Sequence, residues 1–405
     1  MKTLILGAGA SGMMAALQAA KIPGNRVTIL ERQARVGKKL SATGNGRCNL
    51  TNLNAAPGDY HSSTGAAFPA LERFTPADTL AFFESLGLVC VSEPSGRCYP
   101  FSDQAGSVVD VLRFALAASG AKLELGSEVR SVSRTGGGFR VETSTGRYTA
   151  DRLILACGGP AGEKLGATQD GAQFLRALGH SVTPLLPGLV QLHAKQPLLR
   201  ALKGVRAEAA LLLEQDGTEL MRCCGEVQFT DAGVSGPAVF DLSREASMAL
   251  PCTLHLDLLP LRDVQALTAL LQARCGNQPE LTAEDLLTGI LHNRLGRVCV
   301  RAAGLAPDTP LGQLTDAALR RCAQTVKDFP LPIDGTYGLS GAQITIGGGV
   351  LSQFCPQTRE SLLVPGLDAC GEVLDVDGAC GGDNLQWAWA SGHLAGQLLH
   401  QEVER

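Results

Sequence analysis

Two stretches of this chain carry residue types at spacings that suit chemistry. Gly7-Ala8-Gly9-Ala10-Ser11-Gly12 is a GxGxxG string, and Glu31 follows about twenty residues on. Such glycines let backbone amides approach a pyrophosphate at a helix N-terminus, while the later acid accepts hydrogen bonds from ribose hydroxyls. The second stretch runs from Gly37 to Asn52 and gathers Gly44, Gly46, Arg47, Asn45 and Asn49. Its small residues beside an arginine suit a loop laid along an extended anionic ligand; the alternative is a surface turn rich in Gly and Asn.

The elements needed to position the first string are legible around it. Leu4-Ile5-Leu6 is wholly apolar, as a buried parallel strand is. An alanine-rich helix is expected from about Ser11 to Lys21. Pro23-Gly24 turns the chain, and Val27 to Leu30 reads as a second strand ending at Glu31. Together these form a βαβ dinucleotide fingerprint, which by itself does not separate NAD from FAD.

Length and composition set the frame. A chain of 405 residues suggests two or three domains. Apolar residues at 45% and charged residues at 18% describe a globular protein rather than a disordered one. A net charge of -4 gives no general attraction to nucleic acid or an anionic membrane. Thirteen scattered cysteines contain no CxxC pair and the seven histidines no HxxxH pair, so no metal site is expected. The cysteines read as reduced and mostly buried. Glycines at 7, 9 and 12 break the apolar helix a signal peptide needs, which points to the cytoplasm. No run approaches the length of a membrane span.

Further along, Pro69–Val89 and Ser107–Gly120 read as helices, and 139–142 with 147–149 as a hairpin. An apolar strand from Asp151 ends in Cys157-Gly158-Gly159, and no second GxGxxG follows in strand–helix context. Short alternating runs between Pro187 and Leu258 suit an antiparallel sheet or barrel. Leu259 to about Phe329 is mostly helical, with Arg294, Arg297 and Arg301 on one face, read first as a solvated stripe. The last helix opens at Cys380-Gly381-Gly382, with Asp383 or Asn384 as its cap, and runs to about Gln401. Leu394, Leu398 and Leu399 are expected in the core, as are Trp387 and Trp389, for which a cofactor-facing position is the alternative. No aspartate–histidine pair is apparent.

Three strings carry a family resemblance: GAGASG, GKKLSATGNGRCNLTN, and GEVLDVDGACGGDNLQWAWASG near the C-terminus. They resemble the bacterial flavoprotein family called HI0933-like, YhiN-like or BaiN-like, from end to end. The resemblance implies an α/β fold: a Rossmann-like, glutathione-reductase-like FAD-binding domain at 1–188 and 335–405. An inserted β-barrel-like domain at 189–258 and 330–334 and a helical domain at 259–329 interrupt it. It implies FAD contacts from Gly7, Ala8, Gly9, Ala10, Ser11, Gly12, Glu31, Arg32, Lys38, Lys39, Ser41, Gly44, Asn45, Gly46, Arg47, Cys48 and Asn49. Val129 lies beside the adenine, followed by Cys157, Gly158 and Gly159. The last string adds Gly371, Glu372 (on ribityl hydroxyls), Gly382, Asp383, Asn384, Leu385 and Gln386. Residues 347–350 and 357–361 resemble segments near the isoalloxazine. The family string around Phe229–Pro237 often carries His where this chain has Asp231, which leaves a catalytic role at that position open to doubt.

The same resemblance implies an oxidoreductase. NADH or NADPH docks transiently and delivers hydride to the flavin, which passes it to a polarised C=C bond. The substrate is a steroid- or bile-acid-type enone, or uridine in ribosomal RNA reduced to dihydrouridine. Cys48 is the candidate acid and Arg47 the candidate carbonyl or phosphate clamp. Competing readings are an amine oxidase of the aminoacetone-oxidase type that makes peroxide, and a non-catalytic redox-sensing or ribosome-assembly module.

Overall fold

The computed structural model describes residues 1–64 and 67–399. The chain divides into two compact units, Met1–Leu186 with the segment from Gln343 onward, and Pro187–Ala342. Each has its own apolar core.

The first unit is built on a five-stranded sheet. Its strands are β1 (Lys2–Leu6), β2 (Arg26–Leu30), β3 (Lys122–Glu124), β4 (Arg152–Leu155) and β5 (Leu367–Ala369). The order is β5-β4-β1-β2-β3 and all four pairings are parallel. In β1 and β4 nearly every side chain is buried, as expected for a sheet covered on both faces. Helix α1 (Ala10–Ala19) makes the β1–β2 crossover, so the Rossmann-like fold is borne out at the fingerprint.

Helix α1 packs backbone to backbone against helix α3 (Asp383–Gly396); α2 (Ala105–Ser119) lies between them in sequence. A Cβ at Gly392 would stand 2.5 Å from the Ser11 carbonyl oxygen, and one at Gly396 2.3 Å from that of Ala15. Only glycine at that four-residue spacing admits the contact. It explains why an alanine-rich α1, with Ala15, Ala16 and Ala19 at no exposure, is so deeply buried. A three-stranded antiparallel sheet at 129–150 contains the expected hairpin.

Several expectations are corrected. The helix from Pro69 to Val89 is two helices, Phe68–Arg73 and Pro76–Ser85, because Thr75 caps the second in a capping box with Asp78. Helix α3 ends at Gly396, and Gln401 lies outside the described residues. Leu399 is exposed, whereas Leu394, Leu398, Trp387 and Trp389 are core.

The second unit is a closed six-stranded barrel with helices sharing its core. The strand Phe329–Thr336 shows the alternation such a wall requires: Phe329, Leu331 and Ile333 point in, and Pro330 and Pro332 point out. Arg294, Arg297 and Arg301 lie on the exposed side of helix Asn293–Ala302, with Arg297 paired to Glu284. All thirteen cysteines are free and most are buried.

Candidate functional site

The β1–α1 turn is shaped by contacts a side chain would destroy. A Cβ on Gly7 would sit 2.5 Å from the Ala156 carbonyl oxygen, and one on Gly12 2.0 Å from that of Gly7. Gly9, by contrast, faces open space, with nothing within 4 Å of its would-be Cβ. Gly9 is also the N-cap of α1, with no side-chain cap and no acid in the first turn. The helix therefore presents uncapped amides and a partial positive charge at an opening, the arrangement that receives a pyrophosphate. Glu31, at the end of β2, is buried and held in place: Ala8 N–H donates to Oε2 and Gln33 N–H to Oε1, both at 2.8 Å. Arg32 is taken up by Glu128 and Asp170 at 2.7 and 3.2 Å.

A cleft opens at the end of β4. Gly158, Gly159, Gln169, Ala172, Gly348 and Glu372 line it. Gly159 must lack a side chain because Thr345 Oγ1 stands 2.4 Å from its would-be Cβ. Glu372 is already engaged: Lys39 Nζ pairs with Oε2 at 2.7 Å, and Thr345 N–H donates to Oε1 at 2.6 Å. The resemblance pointed to both Lys39 and Glu372 but could not show that they pair. Cys157 borders the cleft strand end, and burial pushes its thiol up to about 12.

The second and third strings pack on each other. A Cβ on Gly382 would meet the Thr51 carbonyl at 2.6 Å, and Trp389 Nε1 donates to the Leu50 oxygen at 2.9 Å. Gln386 is buried with its amide spent inside the protein. Its Oε1 accepts from Thr51 and Thr79 hydroxyls, and its Nε2 donates to Phe74 O. Asn49 Oδ1 accepts from Cys98 N–H. Gln386 is thereby a clamp between segments, while Asn49 is half-buried with its Oδ1 engaged. The cap of α3 is Gly382, with no side-chain cap; Asn384 instead bonds the backbone of Gly378 and Ala379, so the expected Asp383 or Asn384 cap is corrected.

Around Gly44 the loop turns sharply. Gly44, Asn45 and Gly46 all have positive φ and are exposed. Lys38 and Ser41 are half-buried nearby in sequence; Lys38 Nζ reaches Gln33 Oε1 and Ser41 bonds Gly37 O. Val129 begins the antiparallel sheet and is half-buried. Leu385 is half-buried beside the core.

The two catalytic candidates differ: Cys48 is covered, while the Arg47 side chain keeps 41% of its surface exposed. Cys48 has no exposed surface, and burial pushes its thiol up to about 12. A fully covered group cannot touch a substrate, so its expected role as acid is corrected. Arg47 is held by Asp103 and by Glu93 at 3.4 Å, with its guanidinium 4.0 Å over the Tyr99 ring. It ties the loop to its neighbours.

The second unit contains what sequence spacing hid. His193 Nδ1 and Asp334 Oδ1 are 2.6 Å apart, and Lys195 Nζ lies 3.1 Å from Asp334 Oδ2. These partners depress the Asp334 carboxyl below its usual value, His193 most strongly. His255 and Asp328 form a second pair at 2.7 Å. Asp231 pairs with Lys203 on the surface.

Residues 1–398 match the family described as HI0933-like protein Rossmann domain. This chain belongs to that family. It is 38% identical over 403 residues to the 3-dehydro-bile acid delta(4,6)-reductase of Clostridium scindens, covering 97% of each chain. It is 32% identical to the ribosomal RNA dihydrouridine synthase of Escherichia coli K12, covering 98% of this chain and 97% of that one. The Haemophilus influenzae protein of the same description is 30% identical, covering 99% of both. The resemblance drawn from the three strings therefore holds across the chain. The HI0933-like family supplies a Rossmann-type FAD-binding fold and flavin-dependent oxidoreductase chemistry. Among the described residues, no group of three or more His, Cys, Asp or Glu is arranged to hold a metal, and no helix is long and apolar enough to cross a membrane.

Proposed function

We propose that this protein uses FAD to reduce a polarised C=C bond of a small enone, with NADH or NADPH as the electron donor. The observation that carries the FAD assignment is the cradle itself: an uncapped α1 N-terminus open at Gly9, closed tightly at Gly7 and Gly12, beside a buried and oriented Glu31. On this reading, amides of Gly9 to Gly12 hold the pyrophosphate and Glu31 the ribose. The cleft at Gly158, Gly159 and Glu372 takes the remainder, under the N-terminal end of α3. Lys39 keeps Glu372 in position. When bound, the flavin supplies reversible hydride acceptance and donation at N5.

Support for an enone comes from the relative named for bile-acid reduction, at 38% identity against 32% and 30% for the two named for ribosomal RNA. Charge points the same way. Residues 187–342 contain 14 Lys and Arg against 17 Asp and Glu, so this unit offers no net positive field to RNA.

The test is an anaerobic mixing experiment followed by product analysis. Bleaching of the flavin by NADH or NADPH, and a gain of two hydrogens by a 3-keto-4-ene steroid, are expected. Bleaching followed only by dihydrouridine in ribosomal RNA would move the substrate to RNA. Absence of bleaching with peroxide formed from amines would replace the reductase by an oxidase.

A further inference from the structure

Arg359 is fully buried, and among the described residues none of its three side-chain nitrogens has a hydrogen-bond partner. Its neighbour Glu360 goes elsewhere, to Arg152 at 3.4 Å. What faces the Arg359 guanidinium is an aromatic ring: its Cζ lies 5.8 Å from the Trp387 centroid. The backbone at Arg359 is also left-handed, with φ at 68°. Burial draws the group down to about 10, which still leaves it charged at neutral pH. A lone buried cation in a strained conformation is expensive, and such features cluster where function requires them.

The surroundings connect this charge to the candidate site. Trp387 lies early in α3, and its Nε1 donates to Gly371 O at 3.1 Å. Gly371 in turn lies against Ser11 of the GxGxxG string, whose Oγ stands 2.4 Å from the would-be Gly371 Cβ, and it precedes Glu372 of the cleft. The N-terminal end of α3 carries the same sign of field. A flavin that takes up two electrons and one proton gains one net negative charge, and charge placed near its ring shifts that balance.

We propose that Arg359 is an electrostatic positioning residue, a fixed positive charge backing Trp387 that favours the reduced over the oxidised state of the bound flavin. This rests on the FAD reading above. Arg359 does not touch the cofactor, since it has no exposed surface; it acts through the low-dielectric interior.

The test compares the FAD-loaded protein with Arg359→Met and Arg359→Lys by anaerobic potentiometric titration followed by absorbance. Arg359→Met should hold reduced FAD about tenfold less tightly relative to oxidised FAD. That difference lowers the midpoint by about 30 mV for a two-electron couple. Arg359→Lys should stay near the parent. Equal midpoints in all three proteins would overturn the proposal while leaving the FAD reading intact. A lysine variant as low as the methionine variant would show that packing, not charge, is responsible. A parent protein that takes up no FAD at all would overturn both.

Discussion

Two buried arginines of the first unit behave in opposite ways. Arg152, at the start of β4, is 3% exposed and meets two carboxylates, Asp368 at 2.8 Å and Glu360 at 3.4 Å. Arg359 is 0% exposed, lies over a ring face, and has no hydrogen-bond partner among the described residues. Arg152 closes a network at the end of the sheet where β4 and β5 begin, and Glu360 also accepts from Gly366 N–H. Both of its cation–carboxylate pairs are made within the polypeptide, although Asp368 Oδ1 has no hydrogen-bond partner among the described residues. Arg359 has no hydrogen-bond partner among the described residues, and it adjoins α3, the helix that the proposed function turns toward the cofactor. Charge satisfied by the chain belongs to folding; charge left unsatisfied beside a site belongs to what the site binds.

The largest expected effect follows from breaking the satisfied arginine. Arg152→Met leaves Asp368 and Glu360 buried without their cation, and should lower unfolding free energy by about 3–5 kcal/mol in denaturant titrations. A loss under about 1 kcal/mol would dissolve the contrast.

A second effect is on pH dependence. Burial raises the Asp368 carboxyl to about 7, with Arg152 pulling it back. The folded state therefore binds this proton more tightly than the unfolded state, whose value is near 3.9. Stability from this group falls as pH rises between about 4 and 7, and the full penalty stands above 7. Asp368→Asn should flatten the stability–pH slope in that window by up to ~1.4 kcal/mol per pH unit. An unchanged slope would show that Asp368 stays ionised throughout.

The smaller effects come from the unsatisfied side. Arg359→Met, measured without FAD, should be neutral or stabilising by about 1 kcal/mol, since it removes an unpaired buried cation and keeps the volume. Destabilisation as large as that of Arg152→Met would erase the distinction. Trp387→Phe loses the Nε1 bond to Gly371 and should cost about 1 kcal/mol, as one neutral hydrogen bond does.

How much of this was legible in the sequence depends on range. The strand Leu4–Leu6, the GxGxxG turn and Glu31 lie within one βαβ unit, so local pattern reveals them. The barrel shows through two-residue alternation, as at Phe329, Leu331 and Ile333. Pairs that join distant segments leave no such mark. Lys39 with Glu372, His193 with Asp334, and Arg152 with Asp368 are separated by 333, 141 and 216 residues. Cys48 misled because a glycine-rich loop suggests exposure, whereas its neighbours Gly44 to Gly46 take the surface and leave the thiol in the core. Asn384 misled because its amide has a nearer use in the 378–379 turn than at the helix end.

A flavin held between α1 and the cleft at Glu372 is the premise of the proposed chemistry. Titration of the purified, cofactor-stripped protein with FAD, read by quenching of flavin fluorescence, tests it most directly. Saturation at one FAD per chain is expected, with that binding lost in Gly12→Val. A flat titration in the parent protein, or full binding retained in Gly12→Val, would contradict it.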